Sequence, residues 1–449
     1  MSSSRGSGAA PDVVTRNSRP GARLWRQWVI RGQRVALGLA AIAATSHAQT
    51  APAPVVRVTF PEAIQRAQDN NPSVAAAASG ILRADGLLGQ ARAATLLQVT
   101  GSVTWTILNH GVEFSGVTVT PRSQAAAAIN ADMPILAAAT WARRAQAQDA
   151  KDISELSLAD TKRQVALATA DAYLAIIAER RVVESNERAR DVAKAHFDLA
   201  SELEQQGMGS RLNALRAQQQ VTANEGLVEV ARLALYRAQE ALGVLMAVDG
   251  PADASGEPDF AVPPATPGDL SLWRSDLKLF AAEQQAADRV VRDSTKDWYP
   301  TVDAIFQPSS TYPPPFFLPQ NSWRILFQAN VPIFDSGQRG AVKTQRRAAF
   351  DNARATLTGA TTEASAQVRA AREAVASGER TLASARATAD EADQVVNITN
   401  ISFRAGGATN IEVIDAQRVA RDTGTAVAIA EDQLRRARLE LLNALGRFP

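Results

Sequence analysis

Three histidines and no cysteine leave little reactive chemistry in this chain of 449 residues. His47 lies near the N-terminus, His110 among turn-forming residues and His196 on a helical seam, so no metal-ligand cluster and no nucleophile–His–acid set can be assembled. The lack of Cys also excludes disulfides and thiolate metal sites. Gly406-Gly407 does not match a phosphate-cradling loop. The sequence therefore predicts no enzyme, no cofactor and no metal. The charged residues of most interest are Glu412 and Asp415, which stand three apart and so project from nearly one helical face. Such a pair can hold a cation or be clamped by a basic group; it can equally be two solvated surface acids. At the matching place in the first half stand Asn213 and Arg216, and Arg216 has the length to bridge to Asp415 or Glu412.

The elements that position these residues come in one order, written twice. A Pro/Gly/Asp-rich stretch near residues 248–272 divides the chain, and each side predicts a helix, two strands, a very long helix, a Gly-containing break and another helix. Met133-Pro-Ile-Leu136 answers Val331-Pro-Ile-Phe334, and Leu242-Gly243 answers Leu445-Gly446. Gly207 and Ala217-Gln218 answer Gly406 and Ala416-Gln417 at the same spacing. Chance rarely preserves both order and spacing, so this is an internal duplication.

The strands are expected at about 97–107, 124–136, 300–308 and 322–334. In Val99-Thr-Gly-Ser-Val-Thr-Trp-Thr-Ile107 every even position is Thr or Ser and every odd one apolar or Gly. Ala125, Ala127, Ile129, Ala131, Met133 and Ile135 oppose Asn130 and Asp132; Val302, Ala304 and Phe306 oppose Thr301, Asp303 and Gln307. Trp323, Ile325, Phe327, Ala329, Val331 and Ile333 oppose Arg324, Gln328 and Asn330. A period of two means half-buried strands. Either they face lipid outside and water inside, as in a membrane barrel, or they form a soluble sheet packed on a helix. Residues 108–123 and 308–321 read as hairpin loops. Four strands cannot close a spanning barrel and open edges are not tolerated in lipid, so a barrel would need several chains.

From about Ala139 to Gln205 and from Gln338 to Arg404 no proline occurs, so each segment can run roughly 65 residues, or ~100 Å, as one helix. Val165, Ala168, Ala172, Ile176, Val182, Ala189, Ala193, His196, Ala200 and Leu203 trace an imperfect coiled-coil seam in the first. Ile411, Ile414, Val427, Leu434, Ala437, Leu441 and Leu445 do so in the last helix. A coiled-coil interaction protein, secreted or periplasmic, is the competing reading; it leaves the paired strands at matching points unexplained.

Residues 1–48 read as a signal peptide: Arg31 and Arg34 precede the apolar run Val35–Ala44, and Ser46-His-Ala48 offers a cleavage site. The polar stretch before Arg31 is long for a signal, so translation is expected to start further in. No later segment has the ~18–20 unbroken apolar residues of a spanning helix. Residues 1–48 hold seven Arg and one Asp, so removing them from 48 basic and 46 acidic residues leaves 41 and 45. That balance gives no electrostatic argument for nucleic acid.

The two breaks, Gln206-Gly-Met-Gly-Ser-Arg-Leu-Asn213 and Phe403-Arg-Ala-Gly-Gly-Ala-Thr-Asn410, resemble the helix-hairpin tips of TolC-like outer-membrane efflux proteins. Thr59-Phe-Pro-Glu-Ala-Ile64 and Asn71-Pro72 resemble the family's opening, and the likeness runs from about Thr59 to Gly446. It implies a mainly α fold with membrane β: four strands per chain in a shared 12-stranded trimeric barrel, plus a long α-helical periplasmic tunnel. Residues 49–247 would be the first efflux repeat, 248–275 a linker in the equatorial belt, and 276–449 the second repeat. The implied partners are two further copies, a periplasmic adaptor, an inner-membrane transporter and outer-membrane lipid, in efflux or type I secretion. Gly207, Met208, Gly209 and Ser210, with Gly406, Gly407, Ala408 and Thr409, would face the adaptor. Glu412 and Asp415 would ring a periplasmic gate that Arg216 helps hold closed; the first tip departs from the acidic pattern, and Gln98 stands where the family often has Pro.

Overall fold

A computed structural model describes residues 55–261, 270–314 and 316–448. The expected signal segment 1–48 and part of the linker lie outside the described residues. A short strand β1 (Val56–Val58) leads into α1 (Phe60–Asn70) and α2 (Pro72–Ala93). Thr59 and Glu62 close a capping box on α1, and Pro61 sits in the first turn, where its missing N–H costs nothing. Asn71 starts α2 by accepting from the Ser73 N–H at 2.9 Å. Its Nδ2 donates to the Leu245 carbonyl at 2.9 Å, so this one side chain ties the opening of the first half to its end.

Then follow β2 (Gln98–Ile107), β3 (Val112–Phe114), β4 (Val117–Thr120), β5 (Ser123–Leu136), α3 (Ala138–Gln205), α4 (Arg211–Leu245) and β6 (Ala252–Ala254). The second half brings α5 (Ser275–Asp293), β7 (Thr301–Tyr312), β8 (Asn321–Asn330), α6 (Gln338–Arg404) and α7 (Asn410–Ala444). Among the described residues no helix is long and apolar enough to cross a membrane.

Four strands make one antiparallel sheet in the order β2-β5-β7-β8. Its register places Val103 opposite Ala127, Ala131 opposite Phe306, and Phe306 opposite Ile325. The large apolar side chains of all four strands, Ile305 and Leu326 apart, therefore lie on one face, while Thr104, Asn130, Asp303 and Gln328 lie on the other beside Ala126 and Ala128. One apolar pair, Ile305 opposite Leu326, interrupts the polar face. On the apolar face Val103 is 82% exposed, Trp105 73% and Phe327 73%. That much bare apolar surface on a sheet with two open edges requires cover.

Two strand ends differ from expectation. β7 runs through Pro308 to Tyr312, because the proline sits opposite Trp323 where the β5 ladder skips from Ser309 to Phe306 and asks for no N–H. β8 stops at Asn330 rather than 334, just before Pro332. The loop 108–123 is also more than a loop, since it carries the small β3–β4 hairpin.

The long helices α3 and α6 run 68 and 67 residues, roughly 100 Å each. α3 packs on α4 and α6 on α7, as two antiparallel hairpins. The expected seam holds only in part. Val165, Ile176, Ala193, His196 and Ala200 are buried, whereas Ala168 is exposed, and Ala166, Ala170, Tyr173, Leu174 and Ile177 were missed. α3 also touches α1, α2, α5 and α7, so near its middle it is buried on several sides and no single stripe describes it. In α7, Ile411 is exposed and Val413 takes its buried place.

An extended cluster of buried residues, including Val58, Tyr173, Leu174, Leu242, Met246 and Phe260, lies at that middle level. β1 pairs in parallel with β6, and Phe60 meets both Tyr173 and Phe260 edge-on at 5.4 Å. The buried Tyr173 hydroxyl donates to the Gly256 carbonyl at 2.8 Å. Gly243 has a direct reason to be glycine, since a Cβ there would lie 2.1 Å from the Gly250 carbonyl oxygen. Glu257 accepts from Arg181 at 2.6 Å and from Arg435 at 2.8 Å; Glu431 is shared by Arg181 and Arg386. This network ties the segment after β6 to α3, α6 and α7.

Candidate functional site

The two helical breaks are built alike. At the first, Gly207 takes φ +72, and the N–H groups of Met208 and Gly209 both return to the Leu203 carbonyl at 2.9 and 2.8 Å. At the second, Gly406 takes φ +75 and the Gly407 N–H returns to the Ser402 carbonyl at 2.8 Å. These contacts satisfy carbonyls that a helix end leaves open, and only glycine enters the left-handed region without strain. The next helices are capped by side chains: Ser210 Oγ accepts from the Asn213 N–H at 3.3 Å and Thr409 Oγ1 from the Glu412 N–H at 3.4 Å.

Glu412 completes a capping box, its carboxylate accepting from the Thr409 N–H at 2.7 Å, yet it stays exposed. Asp415 pairs with Arg418 at 2.7 Å, one turn further along α7. Both carboxylates line an open groove of about 460 Å³ between α6 and α7, whose other walls include Ala392, Val395, Ile398 and Val419. Arg216 is exposed on α4 and forms no ion pair within the described residues, so the chain by itself does not bring it onto Asp415 or Glu412. Instead Asp415 has found Arg418, a residue the sequence reading did not single out. An i,i+3 acid–base pair is a signal that a helical sequence carries locally.

A second residue missed from the sequence is Asn410. It is buried where the tips meet: its Oδ1 lies 2.7 Å from His196 Nε2 and its Nδ2 donates to the Asn213 carbonyl at 3.3 Å. No local pattern marks this contact, which joins positions about two hundred residues apart. Burial lowers the basicity of the His196 imidazole, and the bond to Asn410 offsets only part of that. At the far end of the long helices, the polar face of the sheet carries Arg324 bonded to Gln307 at 2.6 Å. Among the described residues no group of His, Asp and Glu is arranged to hold a metal ion.

The fold is shared with solved outer-membrane channels. A membrane protein from Pseudomonas aeruginosa superposes with a TM-score of 0.78 at 19% identity, covering 87% of this chain and 91% of that one. The Campylobacter jejuni CmeC outer membrane channel gives 0.77 at 15% identity, with 87% and 86% covered. The open-state Neisseria gonorrhoeae MtrE outer membrane channel gives 0.73 at 16%, with 86% and 88% covered. No curated relative matches the sequence. The model of the outer membrane efflux protein family matches residues 63–248 and 268–447, the two halves that the duplication separates. The chain belongs to the outer membrane efflux protein family, with the TolC-like arrangement of a short-stranded sheet joined to very long helices.

Proposed function

We propose that three copies of this chain close one barrel of twelve strands and one helical tunnel, forming the outer-membrane duct of an export system in a Gram-negative bacterium. The observation that carries this reading is the single apolar face of the four-stranded sheet, bare in the chain and bounded by two unpaired edges. Joining β8 of one copy to β2 of the next removes the edges, and lipid covers the face. The polar face, with Thr104, Asn130, Asp303 and Gln328, then lines a water-filled bore. Cargo would move passively through it, delivered by an inner-membrane transporter through a periplasmic adaptor that meets residues 207–210 and 406–409. Small molecules, ions and polypeptides are all compatible with such a bore.

At the periplasmic end, Glu412 and Asp415 of three copies would form stacked carboxylate rings able to hold cations, with Arg216 available to a neighbouring copy rather than to its own. Comparing the heated and unheated sizes of the detergent-extracted outer-membrane fraction tests the assembly. A heat-dissociable trimer confined to that fraction supports the duct. A soluble monomer or dimer would return the chain to the coiled-coil interaction reading.

A further inference from the structure

Asn410 opens α7 at the second tip and is 3% exposed. Its carboxamide spans two other helices, with Oδ1 on His196 of α3 and Nδ2 on the Asn213 carbonyl of α4. His196 is 4% exposed, and Phe403 of α6 lies edge-on to it with ring centroids 5.2 Å apart. Four helices, two from each hairpin, therefore meet on one imidazole and one carboxamide. Donation from Nδ2 to Asn213 sets the orientation of the amide, so Oδ1 faces the ring as an acceptor. Nε2 then carries the imidazole proton and Nδ1 is the bare nitrogen. That Nδ1 is buried and has no hydrogen-bond partner.

We propose that His196 and Asn410 form a proton-sensitive latch that holds the two helical tips together near neutral pH and loosens them in acid. A second proton must go to Nδ1, which would become a buried donor with nothing to accept it, on a ring that had also become a buried charge. Nothing nearby compensates. Lys194 and Asp198 on α3, Arg216 on α4, Arg404 on α6, and Glu412 and Asp415 on α7 are all exposed. Burial lowers the affinity of the ring for a proton, and the bond to Asn410 restores part of it. The latched ring thus binds a proton less readily than a ring released to water, whose ordinary value is 6.5. The latch is at full strength above that value and weakens as pH falls below it, down to the lowered value of the latched state.

The chain has no cysteine, so spin labels can be placed at Met208→Cys and Ala405→Cys on the exposed tips of the full protein. Labelled chains diluted into unlabelled ones keep one pair per oligomer. The ratio of short to long distances should fall between about pH 7.5 and about pH 5.5, by up to about tenfold. His196→Gln can donate the same bond to Asn410 but cannot take a proton, and should hold the short distance throughout. His196→Leu, which cannot donate, should show the loosened distribution at every pH. An unchanged wild-type distance across this range overturns the latch, and so does an equal acid response in His196→Gln. The latch extends the duct reading to its inner end, but the labels report tip separation without transport. A failed conductance measurement would therefore count against the duct and leave the latch to the distance data.

Discussion

Asp415 and Arg418 form a 2.7 Å ion pair one turn apart on α7, with their side chains 65% and 57% exposed. The pair is compatible with a functional carboxylate because it adds so little to folding: exposed pairs of this kind contribute about 0–1 kcal/mol. Glu412→Gln together with Asp415→Asn should therefore leave the thermal transition of the oligomer unchanged, and Gln at 412 still completes the capping box. Single-channel conductance at low salt should drop, and block by divalent cations should weaken severalfold. High salt should mask both effects by screening. Unchanged conductance and block in planar bilayers would remove these two residues from the gate.

The tips themselves should be sensitive to their caps. Thr409→Ala removes the acceptor for the Glu412 N–H and should cost about 0.5–2 kcal/mol locally. Gly406→Ala forces a Cβ into φ +75 and should cost about 1–2 kcal/mol. Native-state hydrogen exchange reads both, as faster exchange at residues 405–413 with the middle of α7 unaffected. Equal protection in wild type and variants would mean that the tip is held by something other than its caps.

Acid should weaken the middle of the molecule through Asp276. Burial alone would raise this carboxyl, but the hydrogen bonds and charge of Arg274, the Leu277 N–H and the charge of Arg163 outweigh it and hold it below 3.8. A carboxylate depressed in the fold contributes stability that is complete above its unfolded value and is lost as pH falls through the folded one. Chemical denaturation midpoints should thus decline below about pH 4, and Asp276→Asn should flatten that part of the profile. Arg274 is 7% exposed and also donates to Gln367 and the Ala444 carbonyl. Arg274→Met should therefore destabilise more than Asp276→Asn at pH 7, since it leaves the buried Ala444 carbonyl and the half-buried Gln367 and Asp276 without their donor.

Much of this architecture was legible because its signals are local. The run without proline and the Gly-to-Ser and Gly-to-Thr breaks marked α3 and α6 to within a residue. Alternation marked the strand faces, since a period of two survives in any partner arrangement. What stayed hidden depends on partners. Pro308 reads as a loop residue until its place opposite Trp323 is known. Tyr173 and Leu174 break a single-seam pattern because α3 is packed by five other helices at different levels. The tips were placed by their glycines, yet Asn410 went unnoticed, because nothing in its own neighbourhood announces a contact with His196.

The sheet faces permit the most decisive test of the whole reading. Phe327 and Gln328 are adjacent on β8, yet the register sends Phe327 to the face of Ala304 and Gln328 to that of Asp303. Phe327→Arg should strand a guanidinium in lipid, where a charge on a barrel strand costs about 2–4 kcal/mol at mid-depth. Gln328→Arg should be tolerated, because it enters the bore beside the Asp303 carboxylate. If the sheet were instead packed on soluble helices, Phe327→Arg would expose a core position and reduce soluble protein, with no effect on membrane insertion. Outer-membrane yield of the heat-modifiable oligomer separates these cases. A large loss for Phe327→Arg with near-normal yield for Gln328→Arg places lipid on the apolar face, and equal yields for the two would deny it.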